Sequence, residues 1–141
     1  MPRLESFVIC ESAALDSTTK RVSYFHVFDA DVNRGEFPWQ IPQITAVSRW
    51  KAESMEQVGL VYHANLGILL PGDSREKFFH HPFILDAEGT RVIHKIFKIP
   101  AIAGPGTMTF RMYLENDPSR HHNLVAEYAV SISDPISALR G

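Results

Sequence analysis

The sequence is poor in cysteine, in charge imbalance and in long apolar runs, and each shortage argues against a class of protein. Cys10 is the single cysteine, so no internal disulfide can form, which is typical of the reducing cytoplasm. The 14 basic and 16 acidic side chains form no basic stripe, which argues against binding to nucleic acid or to an anionic membrane. No run has the length of a membrane span, and residues 1–10 lack the apolar core of a signal peptide. We therefore expect a cytoplasmic protein.

The composition predicts one globular domain. The chain has 141 residues, of which 45% are hydrophobic and 21% are charged. At this length a folded domain buries roughly 68–70% of the surface that its unfolded chain exposes. One core is therefore sufficient without a disulfide or a structural metal. We expect a single domain over 1–141, with a C-terminal tail over 134–141.

Apolar residues alternate with polar ones in several short segments, which is the pattern of half-buried strands. Segment 58–69 is the clearest case, because six apolar residues from Val58 to Ile68 occupy every second position. Pro and Gly lie between the segments, where turns need them. The eight predicted strands are 5–10, 21–28, 41–51, 58–69, 79–85, 91–99, 107–114 and 123–133.

These strands predict an all-β fold with little helix. Many short strands with one apolar and one polar face favour an antiparallel β-sandwich of about eight strands, immunoglobulin-like or related. Segments 107–114 and 123–133 are expected to form a hairpin around a polar loop. In segment 91–99 we expect Ile93, Phe97 and Ile99 to face the core, although this facing also places Lys95 on the apolar side.

The sequence lacks the motifs of common enzymes. It contains no G-x-S-x-G elbow, no phosphate-binding glycine loop and no H-E-x-x-H pair. Cys10 lies in an apolar strand, where burial raises a thiol pKa and makes the thiol unreactive. We therefore predict no catalytic residue and no cofactor.

Two groups of residues are candidates for metal ligands. Asp29, Asp31 and Asn33 place oxygen atoms at alternate positions, as a Ca²⁺ loop does, but an acidic turn with side chains bonded to nearby N–H groups is the alternative. The histidines form the second group. His63, either His80 or His81, and His94 could bind one transition metal if their strands were neighbours and shared a facing direction. His80 and His81 cannot both do so, because adjacent strand residues point to opposite faces.

Surface aromatic and histidine residues are the candidates for binding. Phe37 and Trp39 lie in a proline-flanked loop, where Trp39 could stack on a sugar or anchor a protein partner, or could instead fold back to cap the core. His80 and His81 lie in segment 78–82, a candidate sheet edge or loop. Homodimerisation through a sheet edge is a further hypothesis, motivated by the apolar outer residues, Val61 and Val125.

Four segments resemble an uncharacterised bacterial all-β domain family. They are FVICE at 7–11, RVSYFHVFD at 21–29, IPQITAVSRW at 41–50 and GTMTFRM at 106–112. The resemblance covers about residues 4–133 and implies a sandwich-like fold. It implies no activity, because that family has no assigned chemistry, and the His-rich segment 72–82 departs from its pattern.

The sequence therefore favours a non-catalytic binding or assembly module that acts through sandwich loops or a sheet edge. Its expected partner is another protein or a second copy of itself. The alternatives are a metal-dependent enzyme that uses the strand histidines and a carbohydrate-binding module that uses Trp39.

Overall fold

A computed structural model describes residues 1–29, 31–33 and 36–134 and confirms the all-β sandwich. A 3₁₀ turn at Met55–Gln57 is the one helical element of the described chain. The nine strands of these residues are β1 (Arg3–Leu15), β2 (Val22–Val27), β3 (Asp31–Asn33), β4 (Gln43–Lys51), β5 (Val61–Leu69), β6 (Lys77–Ile84), β7 (Thr90–Phe97), β8 (Gly106–Glu115) and β9 (Leu124–Ser133).

The strands form two sheets that pack face to face. The four-stranded sheet has the order β2-β1-β4-β7, and the five-stranded sheet has the order β3-β9-β8-β5-β6. All neighbours are antiparallel except β3 and β9, which are parallel. The chain crosses from β6 to β7 at Gly89, whose φ of +101° and close approach to the Trp50 carbonyl suit a residue without a Cβ atom.

Alternation along β5 and β8 places one apolar face of the five-stranded sheet in the core. Tyr62, Ala64, Leu66 and Ile68 are buried as predicted, and the predicted hairpin of β8 and β9 is present. β5 starts at Val61 and not at Val58 as predicted, because the 3₁₀ turn and Gly59, which has a positive φ, precede it. The predicted tail over 134–141 lies outside the described residues except for Asp134.

β4 is buried on both faces because it lies in the middle of its sheet. Its inner side chains, Ile44, Ala46, Ser48 and Trp50, belong to the interior, and Thr45 and Val47 on the outer face are also covered. Cys10 pairs with Thr45 and is fully buried, and this burial raises the pKa of its thiol. The prediction of an unreactive structural cysteine is consistent with this position.

The predicted facing of segment 91–99 is wrong by one residue. Val92, His94 and Ile96 face the core, whereas Lys95 faces outward and Phe97 is 58% exposed. The ladder with β4 sets this register, because it pairs His94 with Ala46 and Ile96 with Ile44. A shift of one residue moves every side chain to the other face. Lys98 has a φ of +57°, which interrupts the alternation and returns Ile99 to the core.

This facing makes a testable prediction. We expect Ile96→Val to lower the free energy of unfolding by about 0.5–1.5 kcal/mol, because it removes one buried methyl group. Phe97→Ala removes far more atoms, yet we expect a change within about 0.5 kcal/mol, because the side chain is exposed. Urea unfolding followed by circular dichroism measures both changes. A larger loss for Phe97→Ala than for Ile96→Val would show that Phe97 faces the core.

Candidate functional site

The predicted segment 78–82 lies on β6, an edge strand of the five-stranded sheet. His80 and His81 are both exposed, and their side chains point to opposite faces, as strand geometry requires. Pro82 stands opposite His63 in the ladder. Because proline has no N–H, it is tolerated in a strand where the missing donor would face the free edge. The Nδ1 atom of His81 donates to the Pro82 carbonyl at 2.8 Å. This part of the edge therefore has neither a free N–H nor a free carbonyl at Pro82 for a further strand to pair with.

His63 and His80 meet on the outer face of the sheet. His63 Nδ1 lies 2.6 Å from His80 Nε2. The ring centroids are 4.8 Å apart and the planes differ by 25°, so the two nitrogens lie between the ring centres and the rings meet edge to edge. One ring donates a hydrogen bond and the other accepts it. Burial, followed by the charges of His63 and His81, lowers the pKa of His80.

The β8–β9 loop, residues 116–123, lies over the same outer face. Asn65 is fully buried, and its Nδ2 donates to the carbonyls of Arg120 at 2.9 Å and Pro118 at 3.4 Å. The Glu115 carboxylate accepts the N–H groups of His122 and Asn123 at 2.6 Å. These bonds hold the loop beside the two histidines.

Besides Glu115, which stands opposite His63 in the ladder of β5 and β8, two further oxygen-bearing side chains accompany His63 and His80 on this face. The Oδ1 atom of Asn65 is buried and has no hydrogen-bond partner among the described residues. Asn65 is also the cross-strand neighbour of His80. Asp117 belongs to the covering loop. Hydrogen bonds from Ser119 are the main cause that lowers the pKa of Asp117, and the charges of Arg120 and His63 contribute. The Asp117 carboxylate therefore lies within the electrostatic field of His63.

His81 and His94 meet on the inner side of β6. His94 is buried, its Nε2 donates to the Ala64 carbonyl at 3.0 Å, and its Nδ1 has no hydrogen-bond partner in the described chain. The His81 ring lies edge-on to it, with centroids 5.6 Å apart. Burial lowers the pKa of His94 to about 4, although the Ala64 carbonyl opposes this shift. Both rings line an open cleft between β6 and β7.

The structure therefore divides the histidine candidates into two pairs. His63 and His80 lie outside the five-stranded sheet, whereas His81 and His94 lie on its inner side, so the three-histidine set with His63 and His94 is not assembled. Within the described ranges, no three His, Cys, Asp or Glu side chains are grouped so that they could hold a metal ion. The physical reason is the strand period of two, which separates neighbours on β6.

Phe37 and Trp39 do not form an exposed binding surface. Trp39 is only 7% exposed and packs edge-to-face on Phe28 with centroids 6.3 Å apart. Its backbone forms a two-way bridge with Ile102, at 2.8 and 2.9 Å. Phe37 is partly buried against the same core. The interpretation of Trp39 as a cap on the core is confirmed, and its indole is not free to stack on a sugar.

The oxygen-rich segment after β2 is described only in part. Asp29 and Asp31 are exposed, and Asp31 and Asn33 pair in parallel with Ser131 and Ser133 of β9. Three residues of the predicted Ca²⁺ loop, Ala30, Arg34 and Gly35, lie outside the described residues, as does the side chain of Asn33.

β1 and β2 form a ribbon that carries a second candidate surface. β1 pairs with β4 up to Cys10 and then continues to Leu15 with β2 as its ladder partner. β2 is the edge of its sheet, and Tyr24, Phe25 and Val27 on it are exposed. Val61 is exposed but lies on β5, which β8 and β6 flank, so it does not mark a sheet edge. Val125 is exposed on β9, which β3 covers only from Ser131 to Ser133, so the earlier part of β9 that carries Val125 is an open edge among the described strands.

Sequence reasoning missed Asn65, Asp117 and the exposure of β2. The first two could not be found from spacing, because 52 positions separate them and only the loop hydrogen bonds bring them to one face. A signal for β2 was present: VSYFHV contains neither proline nor lysine, the residues that commonly protect an edge.

Comparisons with known proteins leave the family open. A scan against protein-family models finds no match for this chain, and a search of curated proteins finds none. The resemblance to a bacterial all-β family therefore stays a prediction. In the part of the chain that the structure describes, no helix has the length and apolar character needed to cross a membrane.

Proposed function

We propose that this chain is a non-catalytic assembly domain in which β2 pairs edge to edge with β2 of a second copy. The observation that carries the proposal is an open sheet edge that contains neither proline nor lysine and whose one irregularity is His26, with a φ of +53°. β2 has a β1 neighbour on one side, while its other side presents N–H and C=O groups that a further strand can pair. Phe25 is 49% exposed and Val27 is 47% exposed, so pairing would also cover apolar side chains.

The other sheet edges are less suited to strand pairing. On β6, Pro82 has no backbone N–H to donate, and its carbonyl already accepts a hydrogen bond from the His81 ring. β7 carries Lys95 on its exposed face, and lysine on an edge disfavours pairing. β3 has only three residues and covers β9 from Ser131 to Ser133 alone, so the earlier part of β9 is a further open edge. Among the described edge strands, β2 is the one that presents two exposed aromatic side chains, Tyr24 and Phe25, and we therefore assign the pairing to it.

The charges that flank β2 favour a second copy as the partner. In an antiparallel pair with a two-fold axis at Phe25, each Phe25 lies opposite the same residue of the other copy. If the paired strands extend beyond β2 at both ends and straighten at His26, which has a φ of +53°, this register places Arg21, four positions before the centre, opposite Asp29, four positions after it. Both residues are exposed. An ion pair would then form at each end of the two paired strands, and opposite charges on facing strand residues stabilise such a pairing.

Light scattering coupled to size-exclusion chromatography tests the proposal. We expect the mass of the unmodified chain to rise to that of a dimer as concentration increases. We expect Phe25→Lys to remain monomeric, because it places two ammonium groups face to face at the centre of the pair. Ile84→Lys, at a somewhat more exposed apolar position on β6, is the matched control and should dimerise normally.

A charge swap tests the register. We expect Arg21→Asp to weaken dimerisation, since it opposes two acidic groups at each end, and the double variant Arg21→Asp with Asp29→Arg to restore it. A monomer at every concentration would overturn the assembly proposal. Dimerisation that Phe25→Lys leaves unchanged would place the interface elsewhere.

The two alternative functions find less support in the geometry. A metal-dependent enzyme built on His63, His94 and one β6 histidine needs side chains that the sheet separates. Carbohydrate binding through Trp39 needs an indole that the core covers.

A further inference from the structure

We propose that His63 and His80 form a two-histidine binding site for a divalent transition-metal ion of the Zn²⁺, Ni²⁺ or Cu²⁺ class. The site lies on the outer face of the five-stranded sheet, beside the β8–β9 loop. It is independent of the pairing of β2, which belongs to the other sheet.

His63 Nδ1 and His80 Nε2 point at each other across 2.6 Å. In the neutral pair the donor nitrogen carries a proton and the acceptor nitrogen holds a lone pair. When the donor ring carries its proton on its other nitrogen instead, both facing nitrogens hold lone pairs and can bind a metal ion, because imidazole nitrogen is a ligand that these ions prefer.

A metal requires a small movement of the two side chains. On a tetrahedral ion with metal–nitrogen bonds of about 2.0–2.1 Å, two nitrogens lie about 3.3 Å apart. The His63 and His80 nitrogens would therefore separate by about 0.7 Å beyond the 2.6 Å between them, and both rings would turn so that their lone pairs meet at the ion. His80 is exposed and His63 is partly exposed, so rotation about their side-chain bonds can provide this opening without a change in the strands.

Two side-chain oxygens lie beside the pair. Asn65 Oδ1 is a buried acceptor with no partner among the described residues, on the same face and next to His80 in the ladder. The Asp117 carboxylate lies in the field of His63. A cation at the histidine pair would bring positive charge to both oxygens. Water can fill the positions that the protein leaves open, as in metal sites with incomplete protein ligation.

The other described histidines are less suitable. His94 is buried, and its Nε2 is committed to the Ala64 carbonyl. His81 directs its Nδ1 to the Pro82 carbonyl. His121 stacks on Phe78 with centroids 3.8 Å apart. The contact of His63 and His80 is the one described place where two imidazole nitrogens face each other at hydrogen-bond distance.

Calorimetric titration of tag-free protein with ZnCl₂ and with NiCl₂ tests the proposal. We expect one ion per chain, and we expect His63→Ala and His80→Ala each to weaken binding at least about tenfold, a loss of the size seen when the surroundings of a metal ligand are altered. His26→Ala, a histidine on β2 of the other sheet, and His81→Ala, on the opposite face of β6, are the matched controls and should bind normally.

A second readout separates ligation from a change in folding. Co²⁺ bound through imidazole nitrogen gives visible absorption bands, which we expect in the unmodified protein and not in His80→Gln. The glutamine side chain can still hydrogen-bond to His63, so this variant keeps a link between β5 and β6. Absence of stoichiometric binding would overturn the proposal, and so would binding that persists in the double variant His63→Ala with His80→Ala. Either result leaves the oligomeric state, and thus the assembly proposal, unaffected.

Discussion

Trp50→Ala is expected to lower the free energy of unfolding by about 3–5 kcal/mol, the range for removing a large aromatic side chain from a core. The Trp50 side chain is fully buried, and it stacks on Phe83 of the opposite sheet with centroids 5.7 Å apart. Its Nε1 donates to Ser48 Oγ at 2.9 Å. The substitution therefore creates a cavity between the sheets and also removes a donor from a buried hydroxyl.

Urea unfolding monitored by circular dichroism measures this loss. Trp50→Phe is the matched variant, because it keeps a ring between the sheets and removes the hydrogen bond. We expect it to cost about 1–3 kcal/mol, the penalty of an unsatisfied buried partner. A change below about 0.5 kcal/mol for Trp50→Ala would mean that Trp50 does not connect the two sheets, since surface substitutions have effects of that size.

Acidification is expected to destabilise the protein through His94. The folded pKa of this histidine is lowered from 6.5 to about 4 by burial. Above pH 6.5 the ring is neutral in the folded and the unfolded chain. Between pH 6.5 and about 4 the unfolded chain binds a proton that the folded chain does not, so stability falls as the pH falls. At about 1.4 kcal/mol for each pH unit in this window, the loss reaches about 3 kcal/mol.

His94→Gln isolates this contribution. The glutamine amide can still donate to the Ala64 carbonyl but cannot titrate, so we expect the stability of the variant to fall less steeply between pH 6.5 and 4. His122→Gln, at an exposed loop position, is the control and should retain the slope of the unmodified protein. Chemical unfolding at a series of pH values gives both curves. Parallel curves for His94→Gln and the unmodified protein would contradict a buried, neutral His94.

The strand pattern predicted most of the core, and its one clear error has a physical cause. Tyr62 to Ile68 on β5 alternate without ambiguity, so their facing follows from the sequence alone. Segment 91–99 contains apolar residues at both odd and even positions, and His94 and Lys95 both disturb the pattern. There the ladder with β4 decided the facing, and it placed a histidine inside and Phe97 outside.

The candidate sites were predicted less completely than the fold. His63, His80, His81 and His94 were singled out from the sequence, and the opposite facing of His80 and His81 is confirmed. Their pairing depends on which strands are neighbours, and that information is not contained in local spacing. Trp39 illustrates the same limit, because a tryptophan in a proline-rich loop can face solvent or cap a core, and only the position of Ile102 and Phe28 decides.

The scarcity of cysteine, of charge imbalance and of long apolar runs indicated the class of protein and no more. A single cysteine, balanced charge and short alternating segments are local properties, and they suffice for an all-β chain with one core. Tertiary structure decided everything that depends on neighbours. It buried Cys10 and Trp39, left β2 as an open edge, and brought His63 to His80. The physical reason is that a side chain's chemistry follows from its burial and its partners, and both arise from strand order, which alternation along one strand does not encode.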